Sequence, residues 1–149
     1  MFFKKKIQVL NPFEGEVVSL DTLPDPVFAQ RMMGDGVAVL PVNNRCISPA
    51  DGTVVTVFPT RHAVVVRTKE DIEVLVHIGL DTVSLKGEGF ENHVQPGQKV
   101  KAGDLLITFD REAIAQKKSL LSPVIITNLD EKKARIETAR GRGLFEVVI

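Results

Sequence analysis

Aliphatic side chains fall at every second position from Ile72 through Val74, Val76 and Ile78 to Leu80. That is the period of a strand with one face in a core. Glu73, Leu75, His77, Gly79 and Asp81 then share the opposite face, which sets an imidazole beside an apolar residue, a glycine and a carboxylate. Thr60 to Arg67 reads as a preceding strand, and Thr68-Lys69-Glu70-Asp71 as the turn between the two. A hairpin centred between Lys69 and Glu70 sets Arg67 opposite Ile72, Val65 opposite Val74 and His62 opposite His77, for a loop of two residues or of four. Directly opposed residues share a face with Cβ atoms roughly 4.5–5.5 Å apart, so two imidazoles meet on the non-core side of the ribbon. A one-residue slip would send them to opposite faces.

The rest of the chain repeats short strand patterns between turns. Pro12-x-x-Gly15-x-Val17-Val18 returns as Pro49-x-x-Gly52-x-Val54-Val55, with a weaker echo at Ser122-Pro123-Val124-Ile125, as expected of turn-then-strand units reused in one sheet system. Strands are expected over 37–40, 53–58, 105–109 and 147–149. Asp25 is placed to cap a short helix with Pro26 as its first residue, Asp110 a helix over 110–118, and Asp130 one over 130–139 in which Glu131 and Arg135 stand four apart. Many short strands with turn signals between them predict an all-β antiparallel sandwich or barrel-like fold with a few short helices. No linker divides residues 1–149, which read as a single domain with a short N-terminal tail over 1–6.

Composition narrows the partners. Lysine plus arginine equals aspartate plus glutamate at 19 each, which favours neither nucleic acid nor an anionic membrane. Phe is the sole aromatic, with Trp and Tyr absent, so a base-stacking platform is hard to build. The single cysteine, Cys46, excludes an intrachain disulfide and suits a reducing cytoplasm. No segment approaches the about 18 apolar residues of a membrane span.

Two opposed histidines leave three chemistries open. A neutral imidazole is a good nucleophile, so one ring can carry a phosphoryl group while the other donates to its oxygens and Thr60 fixes the second ring's tautomer. Alternatively the pair holds zinc, although structural zinc takes four ligands and catalytic zinc usually three. No His-x-His follows to complete a metallopeptidase set with His77 and Asp81, and His93, in a turn-rich segment, reads as plain surface. The third reading is a non-catalytic polar binding face. Lys86-Gly87-Glu88-Gly89 is a turn rather than a phosphate cradle, because its carboxylate would repel phosphate.

The run VLVHIGLDTVSLKGEGF, with RHAVVV, SPADGTV and GDGVAV upstream, closely resembles the glucose-type enzyme IIA family. These are phosphocarriers of the bacterial phosphoenolpyruvate-dependent sugar phosphotransferase system. The resemblance extends over about residues 9–130. It implies an all-β sandwich of the duplicated hybrid motif type and a cytoplasmic protein. His77 would accept a phosphoryl group from the histidine-phosphorylated carrier HPr and give it to a sugar-specific IIB domain. By the same resemblance, His62 is the second active-site histidine and Thr60 the hydroxyl bonded to it. On that resemblance Asp25 and Asp81 would be the acidic residues bordering the site that meet HPr, and Phe28 and Phe58 would form an apolar rim. Leu75 stands where a rim phenylalanine is common, and Arg61 where a neutral amide is usual. In enteric members a zinc ion can bridge the two histidines with a partner's carboxylate, so His62 and His77 are also the candidate zinc ligands; no cofactor is otherwise implied. The amphipathic tail of enteric relatives has no counterpart in residues 1–6. The alternative reading on the same fold is a regulatory or zinc-binding module that does not transfer phosphate.

Overall fold

The computed structural model describes residues 5–138 and 143–149. The strands run in chain order: Lys6–Leu10 (β1), Gly15–Ser19 (β2), Asp35–Pro41 (β3), Arg45–Ile47 (β4), Gly52–Val57 (β5), Ala63–Arg67 (β6), Glu73–His77 (β7), Phe90–Asn92 (β8), Lys99–Val100 (β9), Leu105–Phe109 (β10), Ser122–Ile126 (β11), Arg135–Thr138 (β12) and Gly143–Val148 (β13). Among the described residues, three α-helices of about one turn, Pro26–Ala29 (α1), Arg111–Ala115 (α2) and Leu129–Lys132 (α3), and two 3-10 turns, Leu20–Thr22 and Thr82–Leu85, interrupt them. Each pairing among the described residues is antiparallel. The fold is therefore the antiparallel all-β class expected. It is an open arrangement and not a barrel: the largest sheet, β2-β3-β11-β7-β6-β5-β9, ends in two different edge strands, and β1-β13-β12 and β4-β10-β8 form two smaller sheets.

Neighbouring residues of the large sheet point into two separate apolar clusters. Val39, Val64, Val74, Val76, Val124 and Ile126 pack inward with Val9, Cys46, Ile107 and Phe145 of the smaller sheets. Their neighbours Ala38, Ala63, Leu75 and Ile125 pack outward beneath Leu20, Leu23 and Phe28. The outer cover is the excursion between β2 and β3, where Arg31 joins Asp21 and Asp35 at 2.7 and 2.8 Å. Strands β7 and β11 are consequently covered on both faces, the arrangement that produces near-continuous apolar runs.

The internal repeat has a steric basis. Gly15 opens β2 and Gly52 opens β5, and a Cβ on either would overlap a carbonyl oxygen of the adjacent strand, that of Leu40 or of Arg67. Only glycine permits that approach.

Four local expectations are corrected. Lys6 is already in β1, inside the stretch read as a tail. The helix expected over 130–139 is the single turn α3, which ends at Lys133 in the left-handed region, φ 51°. Ala134 N–H bonds Leu129 O and Lys133 N–H bonds Asp130 O, a Schellman ending built on lysine where glycine is usual. Arg135 then enters β12 against Val148, so pairing overrides the Glu131–Arg135 helical spacing; Ala139 lies outside the described residues. The strand expected from Thr60 begins only at Ala63, and the strand expected to reach Asp81 stops at His77.

Candidate functional site

The hairpin β6–β7 that carries the histidines closes in a register one residue from that expected. Arg67 faces Glu73, Val65 faces Leu75 and Ala63 faces His77. The loop has three residues: Asp71 N–H bonds Thr68 O, Asp71 adopts φ 63°, and Thr68 N–H bonds Ile72 O. This is the type I turn followed by a left-handed residue that three-residue hairpins use. By alternation alone the slip would carry His62 away from His77. The chain corrects this locally, because Arg61 takes φ 58° and turns His62 out of the pleat before β6 begins. The two rings stand edge to face with centroids 4.8 Å apart. Ile78 N–H bonds His62 O at 2.8 Å, which ties the two segments together beside the rings.

Each imidazole has a defined partner on Nδ1. His77 Nδ1 lies 2.7 Å from Gly79 O, a carbonyl that can only accept, so Nδ1 carries the proton and Nε2 the lone pair. His62 Nδ1 lies 2.5 Å from Thr60 Oγ1, as expected of that pair. Each ring is also backed by a phenylalanine, Phe28 at 5.1 Å from His77 and Phe58 at 5.4 Å from His62. Burial pushes the His62 pKa down to about 4, with the neighbouring His77 acting in the same direction. Burial also lowers the His77 pKa, opposed by the Gly79 carbonyl and by the charge of Asp25. Both rings are therefore neutral at pH 7.

The other expected residues divide. Asp25 caps α1, its Oδ1 accepting from Val27 N–H at 2.9 Å, and its charge reaches His77, so it serves helix and site together. Phe58 is half-buried and available to a rim. Asp81 is exposed at φ 57° and holds Lys118 Nζ at 2.6 Å, a basic neighbour that the sequence reading did not find. Leu75 cannot belong to the rim: it is fully buried in the outer cluster, as both faces of β7 are covered. Phe28, 5% exposed, likewise packs beneath His77 and leaves little surface for a partner. Nor is the histidine pair wholly on an open face, since His62 is 3% exposed while His77 is half-buried. His93 is exposed, with Nε2 2.9 Å from Thr108 Oγ1. Among the described residues, no group of three His, Cys, Asp or Glu side chains is arranged to hold a metal ion.

The family model for the EIIA 1 component of the phosphoenolpyruvate-dependent sugar phosphotransferase system matches residues 7–132. The chain belongs to that EIIA family. The glucose-specific EIIA component of Oceanobacillus iheyensis is 53% identical over 127 residues, covering 85% of this chain and 77% of that protein. That of Bacillus cereus is 47% identical over 144 residues, 94% of this chain and 87% of the relative. Among solved structures, the glucose permease IIA from Mycoplasma capricolum superposes with a TM-score of 0.87 at 44% identity, covering 98% of each chain. The EIIA assignment places the chain in sugar transport by the phosphotransferase system. No helix among the described residues is long and apolar enough to cross a membrane.

Proposed function

We propose that this EIIA chain is a cytoplasmic phosphocarrier in which His77 Nε2 takes a phosphoryl group from phospho-HPr and passes it to the IIB domain of a sugar permease. The observation that carries the reading is the Gly79 carbonyl on His77 Nδ1, which leaves Nε2 as a bare nucleophile on a half-buried ring. The Nε2 lone pair bonds phosphorus as the bond to the donor nitrogen breaks, and the departing nitrogen keeps that electron pair. The proton stays on Nδ1 throughout, donated in a hydrogen bond to the Gly79 carbonyl. It keeps the phosphorylated ring cationic and hence a good leaving group for the next transfer. With the Thr60 hydroxyl donating to His62 Nδ1, His62 Nε2–H is free to donate to the phosphoryl oxygens. Asp25, Asp81 and the exposed edge of Phe58 border the docking surface for HPr and IIB.

Replacing His77 by Gln should abolish labelling by phosphoenolpyruvate with enzyme I and HPr. Replacing His62 by Gln should still permit labelling while slowing transfer to IIB by about 10²–10³-fold, the usual cost of one lost donor to developing charge. Normal labelling of the His77→Gln variant would overturn the assignment.

The same two rings suit zinc as a second, subordinate reading. The Thr60 hydroxyl can accept from His62 Nδ1–H as readily as donate, which frees both Nε2 atoms as ligands. Zinc would be held there by His62 and His77, with its remaining ligands from a partner, and would serve as a bridge. Stoichiometric zinc uptake without any phosphorylation by HPr would favour a regulatory module instead.

A further inference from the structure

Two buried hydroxyls outside the histidine pair bond the backbone next to the carbonyl on which His77 depends. Ser122 on β11 and Thr82, just past the site loop, are both fully buried. Gly79 N–H donates to Ser122 Oγ at 3.0 Å, and that hydroxyl donates onward to Leu120 O at 2.7 Å. Thr82 Oγ1 donates to Ile78 O at 2.6 Å. Leu80 N–H donates to Ser119 O at 3.0 Å. The two peptide planes flanking Gly79 are thus each pinned at both ends. Ser122 and Thr82 hold the 78–79 plane, while Ser119 and His77 Nδ1 hold the 79–80 plane.

Gly79 itself sits at φ 73°, and a Cβ there would run into Ser119 O and the Thr82 methyl. Being free of side-chain sterics, this glycine has other backbone states within reach, and the hydrogen bonds select among them. The Gly79 carbonyl lies in the 79–80 plane, which meets the 78–79 plane at the Gly79 Cα. Once the 78–79 plane is released and Gly79 leaves φ 73°, the 79–80 plane turns with it and the carbonyl moves off Nδ1. The ring then loses the one acceptor that fixes its proton, and with it the choice of nucleophilic nitrogen.

We propose that Ser122 and Thr82 are positioning residues for His77: their hydroxyls fix the 78–79 peptide plane and with it the Gly79 backbone conformation that aims the Gly79 carbonyl at Nδ1, and so keep the lone pair on Nε2. The consequence for phosphoryl transfer rests on the phosphocarrier reading, whereas the cause rests on the hydrogen bonds alone. A merely structural hydroxyl would change stability without changing the ring.

Ring ¹⁵N shifts of the full-length, unphosphorylated chain separate the two roles. In the native protein His77 should show a protonated Nδ1 and a bare Nε2. In Ser122→Ala and Thr82→Val both nitrogens should move toward the average of mixed tautomers, and phosphoryl acceptance from phospho-HPr should slow about 10- to 100-fold, the range for losing a group that orients a functional histidine. Ser122→Thr and Thr82→Ser should restore both readouts. Folded Ser122→Ala and Thr82→Val chains with native His77 shifts would overturn the proposal, whatever their activity. If Ser122→Ala fails to fold, Thr82→Val, which removes only the hydroxyl, decides by the same shifts. A native chain that takes no phosphoryl group would end the phosphocarrier reading, while the ring shifts would still settle the positioning role.

Discussion

At His62, burial and the adjoining imidazole hold the folded-state pKa near 4, against about 6.5 in an unfolded chain. The unfolded chain therefore binds a proton that the folded one refuses. The stabilising contribution is fully present above about pH 6.5 and is lost as the pH falls toward 4, by about 3 kcal/mol in all. Denaturant titrations of the native chain and of His62→Gln between pH 7 and pH 4 should show this slope in the first and not in the second; parallel curves would contradict it. Because His77 is also kept neutral, phosphoryl acceptance should hold its rate below pH 6.5, where a free imidazole loses its nucleophilic form. At Cys46, full burial pushes the thiol well above its ordinary pKa, so a thiol reagent should react only as the protein unfolds. Reaction on mixing would mean that the core around it opens.

At the scale of elements, the hairpin β6–β7 shows how far alternation can be trusted. The period-two pattern identified β7 and its histidine, but not what covers the second face. Leu75 looked like a surface residue because its strand neighbours Glu73 and His77 are polar, yet the β2–β3 excursion folds back over it. A cover supplied by a segment distant in sequence leaves no trace in the strand's own pattern. Leu75→Ala should accordingly cost about 2–5 kcal/mol of stability, and Leu75→Met under about 1.5 kcal/mol, as for packed core positions. A thermally unaffected Leu75→Ala chain with weakened HPr binding would restore Leu75 to the rim. The pairing of His62 with His77 was legible only in part. A three-residue loop shifted the register by one, and the left-handed Arg61 returned the ring to its partner. The turn at 68–71 was legible, but neither Asp71 nor Arg61 announces a positive φ as strongly as glycine does, so the three-residue loop and the outward turn of His62 were not. The same holds for Lys133, which ends α3.

At the scale of the whole molecule, the specific run around His77 identified the family and thereby the antiparallel sandwich, which the solved Mycoplasma capricolum relative matches across nearly all of the chain. What composition and pattern could not supply is the backbone part of the site: the Gly79 carbonyl, the Ser122 and Thr82 hydroxyls behind it, and Lys118 on Asp81. The Ser122 and Lys118 contacts arise where β11 and the loop after α2 meet the end of β7, between residues 43 and 37 positions apart, while the Gly79 and Thr82 contacts are local and depend on how the chain bends after His77. The sandwich thus fixes His77 by its main chain, and its neutral, singly protonated ring is the claim on which transfer depends. The most direct test is proton–phosphorus correlation NMR of the chain after incubation with phosphoenolpyruvate, enzyme I and HPr. One phosphorus bound to Nε2 of His77, absent from His77→Gln, is the expected result. A phosphorus on Nδ1, on His62, or on no histidine would contradict the account.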